Sequence, residues 1–134
     1  MLRKIKHIGI AVQSLDATLP FYRDALGMAF KGEEEVADQK VKVAMLQIGE
    51  SKIELLEPTS PDSPIAKFLE KNGPGIHHIA YEVDDIKSAI VHMLAQGARM
   101  IDEVPRNGAH GTRIAFVHPK SSNGVLTERC QCGH

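Results

Sequence analysis

The chain has 134 residues, of which 43% are hydrophobic and 25% charged, and its formal net charge is -1 at pH 7. This length suits one folded domain with its own core. The chain is nearly neutral and has no runs of Lys or Arg, so its sequence shows no basic patch that would bind nucleic acid or an anionic membrane. No apolar stretch approaches a membrane span of roughly 18 residues, and the N-terminus lacks a signal-peptide core. We therefore expect a cytoplasmic protein whose partners are small molecules.

The hydrophobic pattern of the first half predicts a strand, a helix and three further strands. Alternating apolar residues indicate strands, and apolar residues at three- and four-residue spacing indicate the helix. The predicted elements are a strand at 7–12, a helix from Ser14 or Asp16 to Leu26, a short strand at 28–30, an acidic loop at 32–39, and a hairpin of strands 41–48 and 51–57.

A helix at about 63–72 links the two halves, because Ser63 is a good N-cap, Pro64 suits the first helical position and Gly73 ends the pattern. The order of the first half then restarts. The predicted elements are a strand at 76–83, a helix capped by Asp84 or Asp85 and closed at Gly97, a short strand at 99–101, a polar loop at 105–111, and a hairpin of strands 112–118 and 125–130.

The strands that begin at His7 and at His78 are two copies of one pattern. Side chains two residues apart lie on the same face of a strand, so each histidine shares its face with a small residue, Gly9 in one copy and Ala80 in the other. Residues this small leave room beside the imidazole, which favours a concave surface that holds a ligand. The repeat predicts an α+β fold in which the chain supplies two half-sites.

Each half also carries a late glutamate, Glu54 in the first and Glu128 in the second. Two imidazoles and two carboxylates suit a divalent metal such as Zn, Co, Ni or Mn, and four protein ligands on an octahedral ion leave two positions for a bidentate substrate. A single strand histidine is more often a hydrogen-bonded structural residue. The duplication of both residue types favours the metal site over that alternative.

Cys130 and Cys132 lie one residue apart near the C-terminus. This spacing is poorly suited to a structural disulfide, and the chain has no second cysteine pair to complete a zinc site. We expect both to be reduced thiols.

Several stretches carry a family resemblance, and the more specific ones are 53–58, 63–69 and the double histidine His77-His78. Together with 7–12, 21–27, 75–80, 116–120 and 124–126 they resemble the vicinal oxygen chelate superfamily and, within it, the methylmalonyl-CoA epimerases. The resemblance implies two tandem βαβββ modules that form a mixed, incompletely closed sheet around a metal site, with helices on the outside. It implies a single domain over residues 1–134, with module one at about 1–58, the linking helix at about 63–72 and module two at about 75–134.

The resemblance also implies an enzyme that interconverts (R)- and (S)-methylmalonyl-CoA by proton transfer at C2 through a metal-stabilised enolate. His7, His78 and Glu128 match the family's ligands, and Glu54 stands where some members have glutamine. Glu128 is implied to take part in proton transfer as a catalytic residue. The expected cofactor is a divalent ion, which could be Co, Mn, Zn, Ni or Mg, and relatives of this kind are usually homodimers.

Val43 stands where several members of the family have a glutamate that is a proposed base, so the second acid or base is unassigned. A glyoxalase I-like lactoylglutathione lyase could use the same site, and a non-catalytic small-molecule binding protein could have the same fold. Both remain alternatives to the epimerase.

Overall fold

The computed structural model describes residues 2–132, apart from the side chain of His110. The chain divides into two compact units: a first unit of His7–His77, and a second unit of Met1–Lys6 with His78–His134. The boundary falls inside two strands, just before His7 and just before His78. That the whole chain forms a single domain stays a prediction.

The first unit contains one βαβββ module and the linking helix. Its strands are paired in the order β2-β3-β4-β1, with β3 antiparallel to β2 and to β4, and β4 parallel to β1. Its elements are β1 (Leu2–Ala11, from His7 onwards in this unit), α1 (Leu15–Leu19), β2 (Ala29–Val36), β3 (Val41–Ile48), β4 (Ser51–Pro58) and α2 (Pro64–Asn72).

The second unit repeats this topology. Its strands are paired in the order β6-β7-β8-β5, with β7 antiparallel to both neighbours and β8 parallel to β5. The predicted α+β fold with two tandem βαβββ modules and mixed strand pairing is confirmed. The elements are β5 (Gly75–Val83, from His78 onwards in this unit), α3 (Ile86–Ala95), β6 (Arg106–Asn107), β7 (Arg113–Val117) and β8 (Thr127–Gln131).

The helix of each module packs on one face of its strands and leaves the other face to the histidine and glutamate. In the first unit α1 covers a buried apolar cluster that includes Val12, Leu15, Leu19, Ala44, Leu46 and Leu55. In the second unit α3 covers the equivalent cluster, which includes Val83, Ile86, Ala89, Ile90, Met100, Ala115 and Val117.

The start of each module's helix is held by a side chain from its closing strand. Glu57 Oε1 accepts a hydrogen bond from the Leu15 backbone N–H at 2.7 Å, and Gln131 Oε1 accepts one from Ile86 at 2.7 Å. The first N–H groups of a helix have no partner within it, so these bonds satisfy groups that would otherwise need water. The duplication therefore extends to the way each helix is attached.

The acidic loop predicted at 32–39 is wrong for residues 32–36, because β2 continues from Ala29 to Val36. The register with β3 shifts between Phe30 and Gly32, and Gly32 has a φ of 119°, which favours glycine. Charged side chains are common on strands at the edge of a sheet, where they discourage pairing with other chains. The acidic residues of this segment therefore belong to an edge strand and not to a loop.

The predicted helix that ends at Leu26 is regular only over Leu15–Leu19 and continues as a π-helix over Pro20–Ala25. Proline lacks the N–H for an α-helical bond and its ring crowds the carbonyl four residues back, which explains the wider turn. Leu26 accordingly donates its N–H to Phe21, five residues earlier, at 2.8 Å.

Two short segments of the second half also differ from the prediction. The strand expected at 99–101 is reduced to a single bridge between Met100 and Val117. The loop expected at 105–111 contains β6 and a turn of 3-10 helix at Ala109–Gly111. The linking helix begins as predicted, with the Ser63 hydroxyl accepting the Ile65 N–H at 3.1 Å.

Candidate metal centre

The first half-site is formed by His7 on β1 and Glu54 on β4. The parallel register places Glu54 opposite Gly9, two residues beyond His7 on the same face of the strand. Because Gly9 has no side chain, the glutamate can extend toward the imidazole. His7 Nδ1 lies 3.3 Å from Glu54 Oε2. Both side chains are buried, with 5% and 9% of the residue surface exposed.

The second half-site has the same construction, with His78 on β5 and Glu128 on β8. Glu128 lies opposite Ala80, which is again two residues beyond the histidine. His78 Nε2 lies 3.2 Å from Glu128 Oε1, and each residue is only 4% exposed. The structure therefore brings each predicted histidine to the predicted glutamate of its own module.

The chemistry of these donors fits a divalent metal. Burying a carboxylate is unfavourable unless a positive charge or hydrogen bonds compensate for lost hydration. Each half-site buries one carboxylate with one imidazole nitrogen at 3.2 to 3.3 Å. Imidazole nitrogen and carboxylate oxygen are suitable ligands for Zn, Co, Ni or Mn. His7 and Glu54 could thus hold a cation from the first unit, and His78 and Glu128 from the second.

The imidazole of His78 is supported by a side-chain network that the sequence did not reveal. The Phe116 ring meets it edge to face with centroids 5.6 Å apart, and the Arg106 guanidinium lies 5.2 Å from the Phe116 centroid. Asp102 Oδ2 accepts the Phe116 backbone N–H at 2.9 Å and lies 3.3 Å from Arg106 Nε. Such contacts fix the orientation of the His78 imidazole, as a metal ligand would require.

Both cysteines are free thiols, as predicted. Burial, with a smaller effect of the negative charge of Glu128, raises the pKa of the Cys130 thiol to about 12. Cys132 is half-buried, and its Sγ lies 3.4 Å from Lys6 Nζ and 3.2 Å from Glu82 Oε1. Cys130 is therefore a packing residue rather than a reactive thiol.

Residues 6–116 match the Glyoxalase/Bleomycin resistance protein/Dioxygenase superfamily. The match covers more than half of the chain, and the duplicated modules with their histidine and glutamate agree with it. The chain belongs to this superfamily.

Within this superfamily, the proteins similar to this chain include epimerases of methylmalonyl-CoA. An ethylmalonyl-CoA/methylmalonyl-CoA epimerase of Cereibacter sphaeroides is 43% identical over 96% of this chain and 97% of its own length. A solved structure of a methylmalonyl-CoA epimerase in complex with methylmalonyl-CoA and NH4+ is 43% identical, with a TM-score of 0.95 over 98% of this chain and 96% of that one. The uncharacterized protein YqjC of Bacillus subtilis is 45% identical over 97% of this chain and 93% of its own.

Within residues 2–132, none of the helices combines the length and the apolar character needed to cross a membrane.

Proposed function

We propose that this chain is a methylmalonyl-CoA epimerase, an isomerase that interconverts the (R) and (S) epimers by proton transfer at C2. The observation that carries the proposal is the buried histidine and glutamate pair, which occurs with the same register in both modules. The identity of 43% to epimerases over nearly the full length supports the substrate.

We further propose that His7, Glu54, His78 and Glu128 together hold one divalent cation, which could be Co, Mn, Zn, Ni or Mg. Two carboxylates balance the charge of such an ion, so an anionic substrate can approach without net repulsion. When bound, the ion supplies positive charge at the thioester oxygen, where negative charge develops as C2 loses its proton.

Glu128 is proposed to move the proton at C2. A carboxylate is a suitable base for this step, and positioned acid or base groups contribute about 10² to 10⁴-fold to a rate. Its side chain is held beside His78 Nε2 and is almost fully buried, so it is shielded from bulk water and fixed in direction. The contact of Phe116 with the His78 ring restricts the imidazole, and with it the carboxylate.

The proposal is tested by incubating the metal-loaded protein with methylmalonyl-CoA in deuterated water. It predicts inversion at C2 together with incorporation of solvent deuterium, and loss of both when a chelator removes the metal. The hemithioacetal of methylglyoxal and glutathione serves as the competing substrate. Conversion of that adduct with no deuterium at C2 of the thioester would show a lactoylglutathione lyase instead, and saturable binding of ligand without turnover would show a binding protein.

The assembly and location of the enzyme are also proposals. We propose a homodimer in the cytoplasm, because the family resemblance implies a dimer and the bacterial relatives include proteins of Bacillus and Cereibacter. Light scattering on the purified protein would give a mass of about twice the 14.7 kDa of one chain.

A further inference from the structure

The strand face that carries His7 and Glu54 contains one more carboxylate, that of Glu34. On β2, Glu34 pairs directly with Val43 of β3, and Val43 pairs directly with Leu56 of β4. Directly opposed residues of antiparallel strands have their side chains on the same face. Leu56 is two residues beyond Glu54 and shares its face. Glu34 and Glu54 therefore point to the same side.

The other side chains on this face make the position of Glu34 unusual. Among the paired residues that the structure describes on β1 to β4, this side of the strands carries only two carboxylates, those of Glu34 and Glu54. Glu34 is itself half-buried. Its surroundings on the face are buried and mostly aliphatic: Ala11, Val36, Val41, Val43, Met45 and Leu56.

The row of residues next to Glu34 on this face ends at a glycine. That row runs from Glu54 through Met45 to Gly32, which has no side chain. A Cβ placed on Gly32 would meet no atom within 4 Å. Since opposed Cβ atoms are about 5 Å apart, a glutamate side chain is long enough to extend over its cross-strand neighbour. The Glu34 side chain is therefore long enough to extend over Val43 toward β4, the strand that carries Glu54.

Inversion at C2 requires two proton transfers on opposite faces of the same carbon. A single carboxylate on one face returns the proton to the face from which it came. The proposed function therefore needs a second group, and a carboxylate in a largely aliphatic wall can take or give a proton.

We propose that Glu34 is the second acid and base of the epimerase and serves the face of C2 that the first base does not; this inference rests on the proposed function. As an acid, Glu34 gives its carboxyl proton to C2, the new C–H bond takes the electron pair of the planar intermediate, and the side chain becomes a carboxylate. In the reverse direction that carboxylate removes the proton and the electron pair returns to the substrate. No oxidant or other reactant is needed.

The test compares Glu34→Gln with Glu35→Gln, measured on each epimer separately in deuterated water. Glu35 is the matched control, because it is adjacent, exposed and on the other face of β2. Glu34→Gln is expected to lose inversion by about 100-fold or more. It should still exchange the C2 proton of one epimer with retention of configuration, and Glu128→Gln should do so with the other epimer. Glu35→Gln should behave as the wild type, and Glu34→Asp should recover part of the inversion.

Three outcomes would overturn the assignment. Wild-type inversion by Glu34→Gln would remove Glu34 from the mechanism and leave the proposed function intact. Equal loss of inversion and of exchange from both epimers, with a lowered unfolding temperature, would show a structural role. A wild-type protein that does not invert C2 at all would refute the proposed function, and the role of Glu34 with it.

Discussion

Replacing Glu128 with glutamine separates the chemical role of this residue from its packing role. Glutamine has nearly the same shape, so it leaves no cavity among the neighbours of a side chain that is only 4% exposed. Its amide keeps an oxygen acceptor but cannot take a proton at neutral pH. The substitution therefore removes the proton-transfer role, keeps an oxygen donor beside the proposed metal, and preserves the fold.

The expected magnitudes differ sharply between turnover and stability. Loss of a positioned acid or base lowers the rate by about 10² to 10⁴-fold, which corresponds to about 3 to 5 kcal/mol of activation free energy. The free energy of unfolding of the metal-free protein should change by about 1 kcal/mol or less, because the variant exchanges a costly buried charge for a neutral amide.

The assay measures epimerisation of methylmalonyl-CoA by the metal-loaded variant, with thermal unfolding of the same preparation in parallel. Glu57→Gln is the control, because Glu57 is a half-buried glutamate whose oxygen holds a helix N–H and does not reach the proposed site. It should retain turnover within about twofold. A Glu128→Gln protein with near wild-type turnover would refute the role of Glu128, and so would loss of folding with unchanged activity of the folded fraction.

The remaining predictions concern stability and thiol chemistry. Glu57→Ala and Gln131→Ala should each lower the free energy of unfolding by about 1 kcal/mol in chemical denaturation, because each leaves a helix N–H without its partner. Both variants should retain turnover. Unchanged stability would contradict the role of these hydrogen bonds. Ellman's reagent at pH 8 should label Cys132 in the folded protein and Cys130 only after unfolding, and rapid labelling of both thiols would contradict the burial of Cys130. The pKa of the Cys130 thiol is about 12 in the folded state and about 9 in the unfolded chain, so the unfolded chain loses this proton first as pH rises. The free energy of unfolding should therefore fall as pH rises above about 9. It should fall less steeply in Cys130→Ala.

Two simple rules allow the sequence to predict which histidine and which glutamate each module brings together. The period of two along a strand assigns His7 and Gly9 to one face, and the repeat assigns His78 and Ala80 to the equivalent face. The glutamates then follow from their matching places in the closing strands. The short distances from each histidine to its glutamate arise from parallel registers that alternation alone does not specify.

The features that the sequence did not predict depend on contacts between distant segments. The bonds of Glu57 and Gln131 to helix N–H groups join residues more than 40 positions apart and follow no hydrophobic period. A signal was nevertheless present, since each lies three residues after the glutamate of its module. The acidic neighbours of Glu34 predict a loop, although its alternation with Gly32 and Val36 is equally typical of an edge strand.

We propose that the two half-sites share one cation, and the stoichiometry of metal binding tests this proposal. Calorimetric titration of the metal-free protein with Co or Zn should give one ion per chain. Either His7→Ala or His78→Ala should abolish that binding, because each substitution removes a ligand of the same ion. Two ions per chain, or a His7→Ala protein that still binds one ion with unchanged affinity, would mean that the half-sites act separately and would contradict the account.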